Sequence, residues 1–252
     1  MLTGSISKRD AAFAISLAQA SPWHVASIYD LSILNIWRCA VLKLGGVMNE
    51  RSLKGILGCG SIKTQAQLER IEACFGVKDE DSFFERLNDA DVNFRVQRYY
   101  TDKRNLFLAL PNNSITAYII NNVYDVKERF IQERIRQYMY RIAPRALKAY
   151  ECCNKAEIIL NGYRRGYLSY KELIERIMAQ ANEALEISPS RDAFFIGAYL
   201  GALIDNKSPR RSMRVDLDFD KLFSQFLLLM SSRSSFFMNM KWPSSLGGDA
   251  ED

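Results

Sequence analysis

The stretch from Arg145 to Asn206 constrains this chain more than any other, because its start and stop signals suit helices and little else. Ala149, Cys152, Cys153, Ala156, Leu160 and Tyr163 recur at spacings of three and four, so a helix from Arg145 to Arg164 gathers them on one apolar face. Tyr150, Asn154, Glu157 and Asn161 follow a second helical spacing and form a polar stripe on that helix. Gly166 stops it, since a residue without Cβ takes the left-handed conformation at no steric cost. Ser169 and Glu172, three apart, form a capping box in which each side chain serves an amide of the opening turn. The helix they open reaches about Glu186, with Leu173, Ile174, Ile177, Ala181 and Leu185 on one side. Ser188-Pro189 then prepares a third helix, about Arg191 to Ile204, because proline is preorganised for a first turn. Three antiparallel helices with short joints are expected.

The rest of the chain reads in the same way. Lys8-Arg9, an Ala-rich run and Ala18-Gln19-Ala20 imitate a signal peptide, but Asp10 interrupts the pattern and an amphipathic first helix is the expectation. Ser21-Pro22 opens a helix through Trp37, Arg51 to Leu57 forms a short one, and Thr64 with Gln67 caps another that ends at Phe75 before Gly76. Asp79, Glu80 and Asp81 put negative charge on the first turn of a helix to about Asn88, where the helix dipole favours it. Gly76 to Leu87 echoes Gly166 to Ile177 without gaps, and each glycine follows a periodic run and precedes a new helix start, so both are expected just past a helix end at positive φ. Asp91 to Leu110 alternates weakly and contains the polar run Thr101 to Asn105, which allows a small hairpin or an irregular loop. Helix resumes after Pro111 and runs to about Ile142, with a break near Asn121-Asn122. Leu217 to Met230 is a last helix.

With 252 residues, 48% of them apolar and 25% charged, the chain can bury a core of its own. The expected fold is all-α: a multi-helix single domain over 1–230, a subdivision near 111–114, and a polar tail over 231–252.

The runs Tyr150-Glu151-Cys152-Cys153-Asn154, Gly162-Tyr163-Arg164-Arg165-Gly166-Tyr167-Leu168-Ser169 and Ala198-Tyr199-Leu200-Gly201 resemble the C-terminal half of a bacterial domain-of-unknown-function family. Its enterobacterial members include YbeU and YbeR. The order and gaps agree from about Arg145 to Asn206. The polar positions depart: Glu151 stands where Asp is usual, Asn154 where Arg is usual, and Leu160 where a second Arg is common. The resemblance implies a fold and carries no activity.

Chemistry-bearing motifs are few. His24 is the single histidine, which removes the usual Ser-His and Cys-His pairs unless it serves, and also any metal site needing two histidines. No phosphate loop or dinucleotide fingerprint is present. The five cysteines lack ligand spacing and read as buried reduced thiols of a cytoplasmic protein. Net charge is +5, with a pI near 8.9. Lys127, Arg129, Arg134, Arg136, Arg141, Arg145 and Lys148 are the densest basic set, interleaved with Tyr138 and Tyr140 and diluted by Glu128 and Glu133. Intrahelical ion pairing accounts for much of that pattern, so nucleic acid is not the expected partner.

The expectation is therefore a non-catalytic helical interaction protein of the adaptor or toxin-neutralising kind, binding another protein without metal or cofactor. Tyr150, Glu151, Asn154, Glu157, Asn161 and Tyr163 are the candidate partner-binding groove. The alternative is a hydrolase or transferase that assembles carboxylates and tyrosines from separate segments.

Overall fold

Capping chemistry sets where the helices begin and end. In the computed structural model, which describes residues 7–19, 76–88, 91–188, 190–206 and 242–246, every regular element is helical. These are α1 (Lys8–Gln19), α2 (Glu80–Asn88), α3 (Asp91–Ala109), α4 (Ile115–Asn122), α5 (Val126–Tyr138), a 3-10 helix (Pro144–Leu147), α6 (Lys148–Arg165), α7 (Tyr170–Ile187) and α8 (Arg191–Asn206). The fold is all-α.

The described residues fall into two compact units. The first holds α1, α2, α6 from Cys152 onward and α7 to Glu186. Asp79 caps α2 by accepting from Ser82 N at 2.9 Å, while Ser82 Oγ accepts from Asp79 N at 3.0 Å. The Ser169–Glu172 box opens α7 in the same reciprocal way, at 2.8 and 3.3 Å. Gly166 has φ 85° and Gly76 φ 73°, both in the expected region. At Gly166 the amide bonds to Tyr163 O and the Tyr167 amide to Gly162 O, the two-bond closure that satisfies a helix's last carbonyls. Phe83, fully buried, lies 5.7 Å from the Tyr167 ring, and the Arg176 guanidinium sits 5.5 Å over Phe84. α1 buries each of its residues 10, 11 and 13–17, more than a one-faced amphipathic helix requires, and the Phe13 ring meets Trp242 edge-on at 5.2 Å.

The second unit holds α3, α4, α5, the 3-10 helix, the first turn of α6 and α8. α8 packs on the 3-10 helix, α3 and α5, while α3 also packs on the 3-10 helix and α5, and α4 on α5. Gly197 and Gly201 allow the close approach. A Cβ on Gly197 would lie 2.1 Å from Ala146 O, and one on Gly201 would lie 2.4 Å from Tyr150 Cβ. The Gly-x-x-x-Gly spacing is thus a packing surface for backbone.

The hairpin or loop expected between Asp91 and Leu110 is corrected to a single 19-residue helix. Val96, Tyr100 and Phe107, four and seven apart, are its buried positions. The polar run that suggested a turn lies along the helix: Thr101 Oγ1 donates to Gln97 O at 2.8 Å, Asp102 meets Arg98 at 4.0 Å, and Arg104 Nε reaches Met139 O at 2.8 Å. The break expected near Asn121-Asn122 falls between α4 and α5, where Asp125 caps α5 by accepting from Glu128 N at 2.6 Å. The expected helices through Trp37, over 51–57, 64–75 and 217–230, His24, and most of the tail over 231–252 lie outside the described residues.

Candidate functional site

α6 begins where Pro144 starts a turn of 3-10 helix that leads straight into it. Nearly every residue from Cys152 to Tyr163 is buried, so the polar stripe is enclosed along with the apolar face. Tyr150, Asn154, Glu157, Asn161 and Tyr163 are all buried, and Glu151 is half-buried. A polar side chain inside the protein costs free energy unless it is hydrogen-bonded, and Tyr150 and Asn161 show the bonds that hold them. Tyr150 Oη donates to Asp205 Oδ2 at 2.6 Å, across 55 residues of chain. Asn161 Nδ2 donates to Glu157 O at 2.7 Å, and Asn161 Oδ1 accepts from Arg164 at 2.9 Å. Cys152 Sγ donates to Gln180 O at 3.1 Å. Burial, reinforced by the nearby Glu157 charge, pushes the Cys153 thiol far above its ordinary range.

A second buried polar group occurs in the same unit as Tyr150. Tyr99 Oη donates to Glu128 Oε1, which also accepts from Gln132 Nε2 at 2.6 Å. Glu128 and Gln132 are buried. Burial and the bond to Glu128 push the Tyr99 phenol well above its ordinary range. The neighbouring Tyr100 is pushed up to about 12 by burial, and its hydroxyl donates to Ile142 O at 2.9 Å. These phenols are held in the neutral, donating form.

Sequence reasoning did not single out Asp205 or Glu128. One signal for Asp205 was available: a carboxylate in the last turn of a helix faces the negative end of the dipole and needs a donor to hold it. Glu128 gave only the spacing to Gln132, four residues on, which is also the spacing of an ordinary surface pair.

Among the described residues, no three His, Cys, Asp or Glu side chains come together as a metal site would require. No described helix is long and apolar enough to cross a membrane.

The model of a family described as protein of unknown function (DUF1266) matches residues 70–242. The chain belongs to the DUF1266 family. The match takes in the Arg145–Asn206 stretch and extends over α2 to α5, so the DUF1266 region spans residues of both compact units. Searches of curated proteins and of solved structures find no match.

Proposed function

We propose that this DUF1266 chain is a non-catalytic interaction protein of the adaptor or toxin-neutralising kind, acting in the cytoplasm on another protein. We also propose that the enterobacterial members YbeU and YbeR share its architecture. One observation carries the reading. At the joint between α4 and α5, Ile120, Tyr124 and Val126 are 51%, 85% and 77% exposed. Three large apolar side chains within seven residues of chain turn to water there, and we take them together as a patch of the kind that partners cover. Val123, between them in sequence, is buried, so the segment is anchored while its neighbours point outward. The internal polar groups support the same reading. Burial shifts Tyr99, Tyr100 and Cys153 toward their protonated, less nucleophilic forms, the opposite of what a reacting group needs.

The second reading is a hydrolase or transferase built on tyrosines and carboxylates. The pairings of Tyr150 with Asp205 and Tyr99 with Glu128 from separate segments favour it. The two readings part on a single experiment, affinity purification of the tagged full chain from its own host. The interaction reading expects a stoichiometric protein partner that the double variant Tyr124→Ser, Val126→Asp no longer retains. A chain that purifies alone, or a partner retained equally by the variant, would sink it.

A further inference from the structure

The surface that continues from Tyr124 and Val126 along α5 has a charge pattern that specifies the class of partner. Between Asp125 and Lys148 the sequence carries seven basic and three acidic residues, so the two signs look interleaved. The fold takes one of the three acids off the surface and leaves Asp125 and Glu133 exposed beside the cations. Glu128 is buried against Tyr99 and Gln132, and Asp125 is engaged at the N-cap of α5. Lys127, Arg136, Arg141, Arg145 and Lys148 remain exposed.

On a helix turning about 100° per residue, Val126, Glu133, Gln137 and Tyr140 fall on one stripe. The turn past Tyr138 keeps that progression, since the Ile142 amide bonds to Tyr138 O. Val126 and Tyr140, at its two ends, are strongly exposed. Arg129 and Arg136 flank it on one side, with Lys127, Arg134 and Arg141 on the other. Two of these cations are preset: Arg129 is fixed on Val123 O at 2.9 Å, and Arg134 lies 4.7 Å over the Phe130 ring while donating to Gln137.

We infer that the α5 surface docks an amphipathic helix of another protein, with an apolar edge over Tyr124, Val126 and Tyr140 and acidic residues on both flanks. This rests on the interaction reading above and deepens it. The stripe from Val126 to Tyr140 is roughly 21 Å long, at 1.5 Å per residue, which four turns of a partner helix cover. A second copy of this chain does not fit, because its own α5 surface carries the same positive flanks. Nucleic acid fits poorly as well. Of the exposed apolar side chains of this surface, Ile120 and Val126 have no π-face for a base to stack on, which leaves Tyr124 and Tyr140 to offer one.

The test uses the full chain and a fluorescein-labelled synthetic helix of about 18 residues, four to five turns long. It carries leucines along one edge and glutamates on both flanks. A second peptide with lysine for every glutamate and a single-stranded DNA of matched charge are the controls. By anisotropy, the acidic peptide is expected to bind and the lysine peptide to bind at least roughly ten-fold more weakly. Val126→Asp and the double reversal Lys127→Glu, Arg136→Glu should each weaken the acidic peptide about ten-fold, with far-ultraviolet spectra unchanged. No binding by the acidic peptide, equal binding by both peptides, tighter binding by DNA, or indifference to the reversal would each overturn the inference. The two proposals fail separately. If the purified host partner is lost with Val126→Asp but retained by the charge reversal, the interaction reading stands and the acidic class falls.

Discussion

α5 and α6 both present polar stripes at helical spacing, and the fold treats them in opposite ways. The α6 stripe of Tyr150, Asn154, Glu157 and Asn161 is buried, with Tyr150 and Asn161 tied to internal partners. On α5, Glu133, Arg136 and Gln137 face water together with Val126, while Glu128 and Gln132 face inward. Helical periodicity says which residues share a face. It does not say which face another element covers. In α6 the buried polar side chains therefore bear on stability, whereas the outward side chains of α5 stay in contact with water.

The sharpest way to break this contrast is at the contact behind the α6 stripe. Gly201→Ala would put a Cβ 2.4 Å from Tyr150 Cβ, and helix backbone on both sides leaves little room to yield. Chemical denaturation should show a loss of about 3 kcal/mol, the range for an overpacked interior. A loss well under 1 kcal/mol would mean that α8 and the start of α6 slide freely past each other. Tyr150→Phe comes next, because it keeps the ring and removes the hydroxyl that donates to Asp205. A cost of about 1–2 kcal/mol is expected for withdrawing a donor from a buried carboxylate, and an unchanged midpoint would mean that the bond to Asp205 adds no net stability.

Gly166→Ala should cost about 1 kcal/mol, since φ 85° is strained for any residue with a Cβ even though no neighbour lies within 4 Å of the added atom. On the α5 side, Arg136→Glu should change stability by no more than about 0.5 kcal/mol, as exposed substitutions usually do, while altering recognition. A large destabilisation there would erase the comparison. The smallest expected effect is at the Glu172 cap, where bonds from Ser169 hold the carboxyl below its ordinary range. A carboxyl whose folded value is depressed stabilises the fold fully above its unfolded value of 4.5 and loses that contribution as pH falls through the lower folded value. The stability difference between the native chain and Glu172→Gln should thus be constant above pH 4.5 and shrink below it. A difference independent of pH would show that the charge contributes nothing.

The helical class, the ends of α2, α6, α7 and α8, and both left-handed glycines were legible because each rests on chemistry within one turn of chain. Asp79, Ser169 and Gly166 act on amides three or four residues away, and that information is local. α3 was misread for an equally local reason. Tyr99 and Tyr100 are adjacent, so one of them breaks any simple helical pattern. Only the fold shows why both are there: Tyr99 reaches Glu128 and Tyr100 reaches Ile142 O.

The sequence by itself determined that this chain is all-α, where most of its described helices start and stop, and that it resembles a family without an assigned activity. Tertiary structure alone decided that the Tyr150 stripe is buried, that Asp205 is the carboxylate Tyr150 meets, and that Glu128 is buried against Tyr99 and Gln132. The physical reason is range. Caps and periodicity act over about four residues, whereas burial depends on which distant helix packs against a face, as Asp205 meets Tyr150 across 55 positions.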